Sequence, residues 1–431
     1  MLRRLDLRGS TGDLSAVLPR REVAGEGPME VVRSIIAEVV DRGDDALRDL
    51  TSRLDGVESP SIQVDPEEIT GALGRIDPEI RTALEFSAAN VRHHHQDQVR
   101  PERRTEHKGL VVRSASRPVE RAGCYAPGGR AAYPSTVLMT AIPARVAGVT
   151  EVVLCVPPGP TGRIADVTLA AAAVADVDSV FAIGGAQAIA AMAYGTESVP
   201  KVDVIAGPGN VYVALAKREV AGLVGIPSAF TGPSEVVVVA DHTVPSAFAA
   251  IDVVVQAEHG PDGLAWLVTW DEEVADAVEA DVVRIAEASA RRDDVADTLA
   301  SAGWTVLVDG PEEALAVADA IAPEHLQLMV DGAEDFADRV RHAGAVFCGP
   351  WTPAVLGDYV AGPSHVLPTA GTARFSGALT VADFTKEVHI VSADRSALER
   401  LAPHVSALAG AEGLDAHAAS VRIRTQGGNG G

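Results

Sequence analysis

The chain has 431 residues, too many for one ordinary domain, and 47% of them are hydrophobic, enough for sizeable cores. Its 36 basic and 60 acidic residues leave a formal charge of −24, with no basic stripe to neutralise phosphates, which excludes nucleic acid as a partner. No apolar run reaches the ~18 residues of a membrane span, and the opening MLRRLDLRG lacks an apolar signal core, so no membrane partner and a cytoplasmic address are expected.

Residues 1–22 are charged and short of a core pattern, and read as an arm. From 29 to 54 the apolar residues Val31, Val32, Ile35, Ile36, Val39 and Val40 recur at helical spacing. Pro66-Glu67-Glu68 and Pro78-Glu79 read as helix first turns, with an early proline and acids facing the positive end of the helix dipole. The second helix runs into His93-His94-His95. Successive helical positions lie about 100° apart, so the three histidines cannot share a face and are expected on solvated surface.

Residues 110–121 read as extended, and a turn at Ala126-Pro127-Gly128-Gly129 precedes a helix that opens at Pro134 and ends at Gly148. Strands at 151–156, 179–183 and 202–206 then alternate with helices at 164–175, 186–193 and 211–220. The beat restarts after Gly232-Pro233-Ser234. Strands at 235–240, 265–269, 305–308 and 326–330 alternate with helices at 247–258, 272–290, 312–321 and 333–343. Such alternation means right-handed βαβ units on parallel sheets. The fold class is therefore α/β, with two Rossmann-like lobes, a small N-terminal arm and a helical C-terminal segment. The boundaries fall at 1–22 for the arm, 23–110 with 235–380 for the first lobe, 111–234 for the second, and 381–431 for the last segment.

The chain is organised around Ala322-Pro323-Glu324-His325-Leu326, which sets a carboxylate beside an imidazole directly after a helix-stopping proline. Imidazole titrates near neutrality and an adjacent carboxylate can act as a second base, so Glu324 and His325 are candidates for acid–base catalysis. Gly184-Gly185-Ala186-Gln187 and Gly207-Pro208-Gly209-Asn210 follow neighbouring strands and open helices, a position where backbone N–H groups can meet an anion; neither is a GxGxxG fingerprint. Gln256 and His259 stand i, i+3 on one helix face and could share a metal. Asp358 follows Gly357, and His417 lies five residues after Glu412. Spacing alone does not join these four, although their N/O character suits Zn²⁺. Among the cysteines, Cys155 and Cys348 read as buried small hydrophobes, and Cys124, beside a Gly-rich loop, is the thiol to test as reactive. A dehydrogenase, a zinc hydrolase using Glu324 as base, and a non-catalytic nucleotide-binding module all remain open on these residues.

Eight motifs, in order over nearly the whole chain, resemble the histidinol dehydrogenase family. They are the 124–129 segment CYAPGG, 184–190 GGAQAIA, 206–210 AGPGN, 231–235 TGPSE, 256–260 QAEHG, 322–326 APEHL, 362–369 GPSHVLPT and 412–417 EGLDAH. The one departure is Ala126, where the family pattern has a β-branched residue. The resemblance implies a zinc-dependent, four-electron oxidation of L-histidinol to L-histidine through histidinaldehyde, with two NAD⁺. It implies Gln256, His259, Asp358 and His417 as ligands of one Zn²⁺ per subunit, and Glu324 and His325 as the acid–base pair. Ser234, His365 and Glu412, with His325 and the four metal ligands, are the implied substrate contacts; Tyr125, Gln187 and Asn210 are the implied NAD⁺ contacts. The first lobe would carry the zinc and acid–base residues and the second the NAD⁺ turns. The chain would form a homodimer in which Glu412 and His417 of the C-terminal segment serve the partner's site. A paralogous zinc- and NAD-dependent dehydrogenase of another amino alcohol is the nearest rival; Ser234, His365 and Glu412 favour histidinol over it.

Overall fold

Parallel strands cannot be joined by a tight hairpin and need a crossover, which the helical segments between these strands supply. The computed structural model describes residues 1–19, 28–58, 61–128, 131–227, 232, 234–258 and 263–426. Its contacts divide the chain into two units, Met1–Gln98 with Val119–Phe384, and Val99–Pro118 with Thr385–Gly431. The strands are β1 Arg3–Asp6, β2 Arg103–His107, β3 Leu110–Pro118, β4 Arg121–Tyr125, β5 Glu151–Cys155, β6 Ser179–Phe181 and β7 Val204–Ala206, then β8 Glu235–Ala240, β9 Leu264–Thr269, β10 Gly303–Leu307, β11 His325–Met329, β12 Ala345–Cys348 and β13 Thr385–Ala393. No helix among the described residues is long and apolar enough to cross a membrane.

The first unit holds two parallel sheets, as the α/β reading requires. One has four strands in the order β6-β5-β4-β7, the other six in the order β1-β10-β9-β8-β11-β12. The N-terminal segment read as an arm contributes β1, an edge strand beside β10. In the four-stranded sheet, alternate residues of β5 face opposite cores. Leu154 packs with helices Pro134–Ala147 and Asp166–Val174, and Val153 with helices Gly185–Tyr194 and Val211–Val220. The helix after β4 therefore lies on one face and the helix after β7 on the other, which makes the gap between β4 and β7 a topological switch point.

The six-stranded sheet is divided likewise. Val236 and Val238 of β8 face helices Ser246–Ala257, Glu272–Ala288 and Arg292–Ala302, while Val237 and Val239 face helix Pro311–Ile321. Its switch point lies between β8 and β11. At the carboxyl ends of these strands Asp241 ties both exits together, accepting hydrogen bonds from Thr243 N (2.8 Å) and Asp331 N (3.1 Å). The amino ends carry Ser234-Glu235 and Glu324-His325.

The expected helix first turns at Pro66 and Pro78 are present, capped by Asp65 on Glu67 N (2.8 Å) and Asp77 on Glu79 N (2.7 Å). The histidine run departs from expectation. His93 is exposed, but His95 is fully buried, its Nδ1 2.8 Å from Val91 O, and burial holds its ring below the ordinary imidazole value. A helix end that turns its last residues inward buries one of three consecutive side chains whatever their type.

The second unit is a three-stranded antiparallel sheet in the order β13-β3-β2, with helices Arg395–Ala411 and Asp415–Gln426. Glu412 forms the C-cap of the first helix and His417 lies in the first turn and a half of the second; both are exposed.

Candidate active site

Helix Pro311–Ile321 ends at Ala322 in the left-handed region (φ 56°), a conformation costing a non-glycine residue about 1 kcal/mol. That turn and Pro323 bring the chain into β11 so that His325 is its first residue, hydrogen-bonded into the ladder between β8 and β12. His325 is thereby built on a strand rather than on a loop. Glu324 Oε2 accepts from Ser234 Oγ at 2.6 Å and from Glu235 N at 3.1 Å. His325 Nδ1 lies 3.6 Å from Glu324 Oε2 and Nε2 lies 3.4 Å from Asp358 Oδ1. The imidazole stacks on Phe347, with ring centres 6.0 Å apart.

Glu324 and His325 are both buried. Burial opposes charge on the His325 ring, but the carboxylates of Glu324 and Asp358 on either side outweigh it and raise the imidazole to about 9. Burial raises Glu324 above the ordinary carboxylate range, with His325 and the Ser234 hydroxyl opposing. The charge of each group favours the charged form of the other, so the two titrate together. A third carboxyl, Glu235, stands behind them, raised to about 8 by burial and by the charge of Glu324. Sequence motifs did not single out Glu235, which reads as an ordinary strand-opening residue.

Ser234 Oγ also lies 3.3 Å from Gln256 Oε1, in the last turn of helix Ser246–Ala257. A hydroxyl has one proton, and the shorter contact to Glu324 claims it. The Gln256 amide is buried and its Nε2 has no hydrogen-bond partner. The Nε2 of His325 likewise lacks an aligned one. His365 Nδ1 donates to Asp358 O at 3.0 Å, so in the neutral ring Nε2 accepts from Thr136 Oγ1, also at 3.0 Å. Ser234, Gln256, Glu324, His325, Asp358 and His365 thus lie in one network. His259 lies outside the described residues. Glu412 and His417 belong to the second unit. Among the described residues no three His, Cys, Asp or Glu side chains cluster with metal-site geometry.

The remaining candidates gather at the switch point of the four-stranded sheet. Tyr125 ends β4, and its hydroxyl accepts from Gly185 N at 3.1 Å, in the turn after β6. Gly207 follows β7 with φ +116°, and a Cβ there would stand 2.0 Å from Tyr125 O. Only glycine permits that approach. Asn210 caps helix Val211–Val220 through Tyr212 N and Val213 N, each at 3.1 Å. Gln187 is buried, with no hydrogen-bond partner for its Oε1. Lys217, on the helix that Asn210 caps, is fully buried and donates to Gly207 O.

Residues 18–425 match the family model described as histidinol dehydrogenase. The chain belongs to the histidinol dehydrogenase family. The histidinol dehydrogenase of Parasynechococcus marenigrum (strain WH8102) is 47% identical over 401 residues, 93% of this chain and 91% of that protein. That of Dehalococcoides mccartyi (strain CBDB1) is 43% identical over 427 residues, 98% of each. The crystal structure of histidinol dehydrogenase from Elizabethkingia anophelis superposes with a TM-score of 0.95 at 32% identity, covering 100% of this chain and 99% of that one. This member of the histidinol dehydrogenase family is accordingly an oxidoreductase.

An acetylating aldehyde dehydrogenase from Geobacillus thermoglucosidasius shares the fold alone, with a TM-score of 0.50 and 15% identity over 86% of this chain and 94% of that one. Cys124, the one thiol worth testing as reactive, is fully buried on β4 and its pKa is pushed up to about 12 by burial. It is no nucleophile. Cys155 is buried as expected, whereas Cys348 is only half-buried, at the end of edge strand β12.

Proposed function

We propose that this chain oxidises L-histidinol to L-histidine through histidinaldehyde, as the zinc- and NAD⁺-dependent last step of histidine biosynthesis. L-Histidinol (as its ammonium ion), two NAD⁺ and water give L-histidine, two NADH and three protons. The observation that carries the reading is the buried Glu324–His325 pair, flanked through Ser234 by Gln256 and directly by Asp358.

Gln256 and Asp358, with His259 and a partner subunit's copy of His417, would hold the Zn²⁺. The Gln256 side-chain carbonyl, left without the Ser234 proton, and the oxygen and nitrogen character of the set fit a borderline divalent ion. When bound, Zn²⁺ anchors the substrate's imidazole and amine, and NAD⁺ accepts hydride. The neutral form of His325 takes the proton of the alcohol as the first hydride leaves, then releases it to solvent so that it can act again. Glu324 then activates the water added to the aldehyde, and His325 takes the proton of the hydrate as the second hydride leaves. The 3.6 Å between the two groups keeps both within reach of one bound substrate, and the protons they take pass on to solvent. Ser234, His365 and Glu412 would contact histidinol.

The cofactor would lie at the β4–β7 switch point, against Tyr125, Gln187 and Asn210. The working form is a homodimer in the cytoplasm. The test is the NADH yield from limiting L-histidinol with excess NAD⁺, with and without a zinc chelator. Two NADH per histidinol, abolished by chelation and restored by Zn²⁺, is the expected result. One NADH would mean an alcohol dehydrogenase that stops at the aldehyde, and none would remove histidinol as the substrate.

A further inference from the structure

The short helix Val355–Tyr359 carries Asp358, and the backbone N–H groups that close it, Val360 N and Ala361 N, both go to Leu356 O. Three consecutive carbonyls at its end are each taken by a side chain from elsewhere in the fold. Asp358 O accepts from His365 Nδ1 at 3.0 Å, Tyr359 O from Ser87 Oγ at 2.5 Å, and Val360 O from Asn90 Nδ2 at 2.8 Å. Helix ends leave such carbonyls orphaned, and a partner from a distant element fixes both their satisfaction and their orientation. Ser87 and Asn90 stand i, i+3 on one face of helix Pro78–Gln96, a 19-residue helix whose Leu84, Ala88 and Val91 are buried in the core of the first unit. The same helix also meets the chain two residues further on. Gly362 has φ +111°, and a Cβ there would stand 3.0 Å from both Asn90 O and His94 Cβ.

We infer that Ser87 and Asn90 are positioning residues for Asp358, anchoring from behind the carbonyls that follow it so that its carboxylate stays aimed at His325 and at the metal. The inference rests on the proposed role of Asp358 as a zinc ligand. Neither side chain touches the substrate, the cofactor or the reacting atoms. A carboxylate on a five-residue helix has little rigidity of its own, and the long helix supplies it through two hydrogen bonds.

The test uses the full-length zinc enzyme and reads zinc affinity by competition with a chromogenic chelator, alongside the melting temperature of the metal-free protein. For Ser87→Ala/Asn90→Ala the expected result is zinc binding weaker by about tenfold or more, as is usual when the support of a metal ligand is removed. Ser87→Thr, which keeps the hydroxyl, should restore most of the loss contributed by Ser87. Zinc affinity within twofold of wild type in the double variant overturns the inference, whether or not the metal-free protein melts lower. If the double variant does not fold, Asn90→Asp, of equal size but unable to donate, is titrated in its place under the same criterion. Asp358→Asn separates the two levels. If it binds zinc as tightly as wild type, the ligand role of Asp358 falls; if it loses zinc while the Ser87 and Asn90 variants keep it, only the positioning role falls.

Discussion

Glu324 Oε2 lies 3.6 Å from His325 Nδ1, with both side chains buried and the carboxylate held by the Ser234 hydroxyl and the Glu235 amide. A pair so enclosed meets the substrate ahead of bulk water, so the two groups are expected to divide the first proton transfers between them. His325→Ala should slow both hydride transfers by about 10²–10⁴, the usual worth of a positioned acid–base group. Glu324→Ala should spare the first transfer and slow the second. Turnover of histidinol and of histidinaldehyde by Glu324→Ala at equal fractions of the wild-type rates would refute this division.

The His417 imidazole is proposed as the ligand a partner subunit supplies. His417→Ala is expected to lose zinc on dialysis while keeping its fold, read by metal analysis and circular dichroism. Full zinc retention removes His417 from the ligand set.

Cys124 is buried with its thiol raised to about 12, so it has almost no thiolate at neutral pH. Cys124→Ala should oxidise histidinaldehyde within a few-fold of the wild-type rate, and iodoacetamide should leave Cys124 unlabelled in the native protein. Loss of the aldehyde step alone in Cys124→Ala would reinstate a thiol adduct.

Gly207 approaches Tyr125 so closely that a methyl group would meet a backbone oxygen, which cannot swing aside. Gly207→Ala is expected to cost about 1–3 kcal/mol of stability, the range for overpacking. Any protein that folds should show a raised KM for NAD⁺ with that for histidinol little changed. Urea unfolding and initial-rate kinetics check the two parts, and unchanged values in both would contradict the close approach.

Burial pulls the Lys217 ammonium down from 10.5 to about 7. Between those values the unfolded chain holds a proton that the folded chain has released, so stability from this site rises with pH across the window. Below it both states are protonated and the burial penalty is complete. Lys217→Met, which keeps the stem and drops the charge, should therefore gain most over wild type near pH 6.5 and lose that advantage progressively as pH rises toward 10.5. A difference in unfolding free energy that does not vary with pH would show that the lysine stays charged throughout.

Much of the first unit was legible in the sequence because its signals are local. Proline with acids behind Asp65 and Asp77 announces helix starts, and the alternation from Glu151 onward announces a parallel sheet. Helix Arg292–Ala302 escaped notice because Arg292, Asp293 and Asp294 dilute its apolar stripe, leaving Val295, Leu299 and Ala302 as its buried face. Strand β13 escaped because the ladder it makes with β3 joins segments far apart in the chain, and Glu387, His389 and Ser392 give it no strictly apolar face. Within the candidate site the residue types could be read, but their convergence could not. Nothing near Asp358 in sequence points to Asn90, and nothing near Ser234 points to Glu324.

The clasp at Asp241 has a practical meaning. With Glu324 and His325 on the amino edge of the six-stranded sheet, the carboxyl edge between β8 and β11 is scaffold, locked by a side chain that bonds both departing loops. That edge is where heat tolerance can be engineered without touching turnover, and where a reporter or tether can be grafted at the least risk to the chemistry.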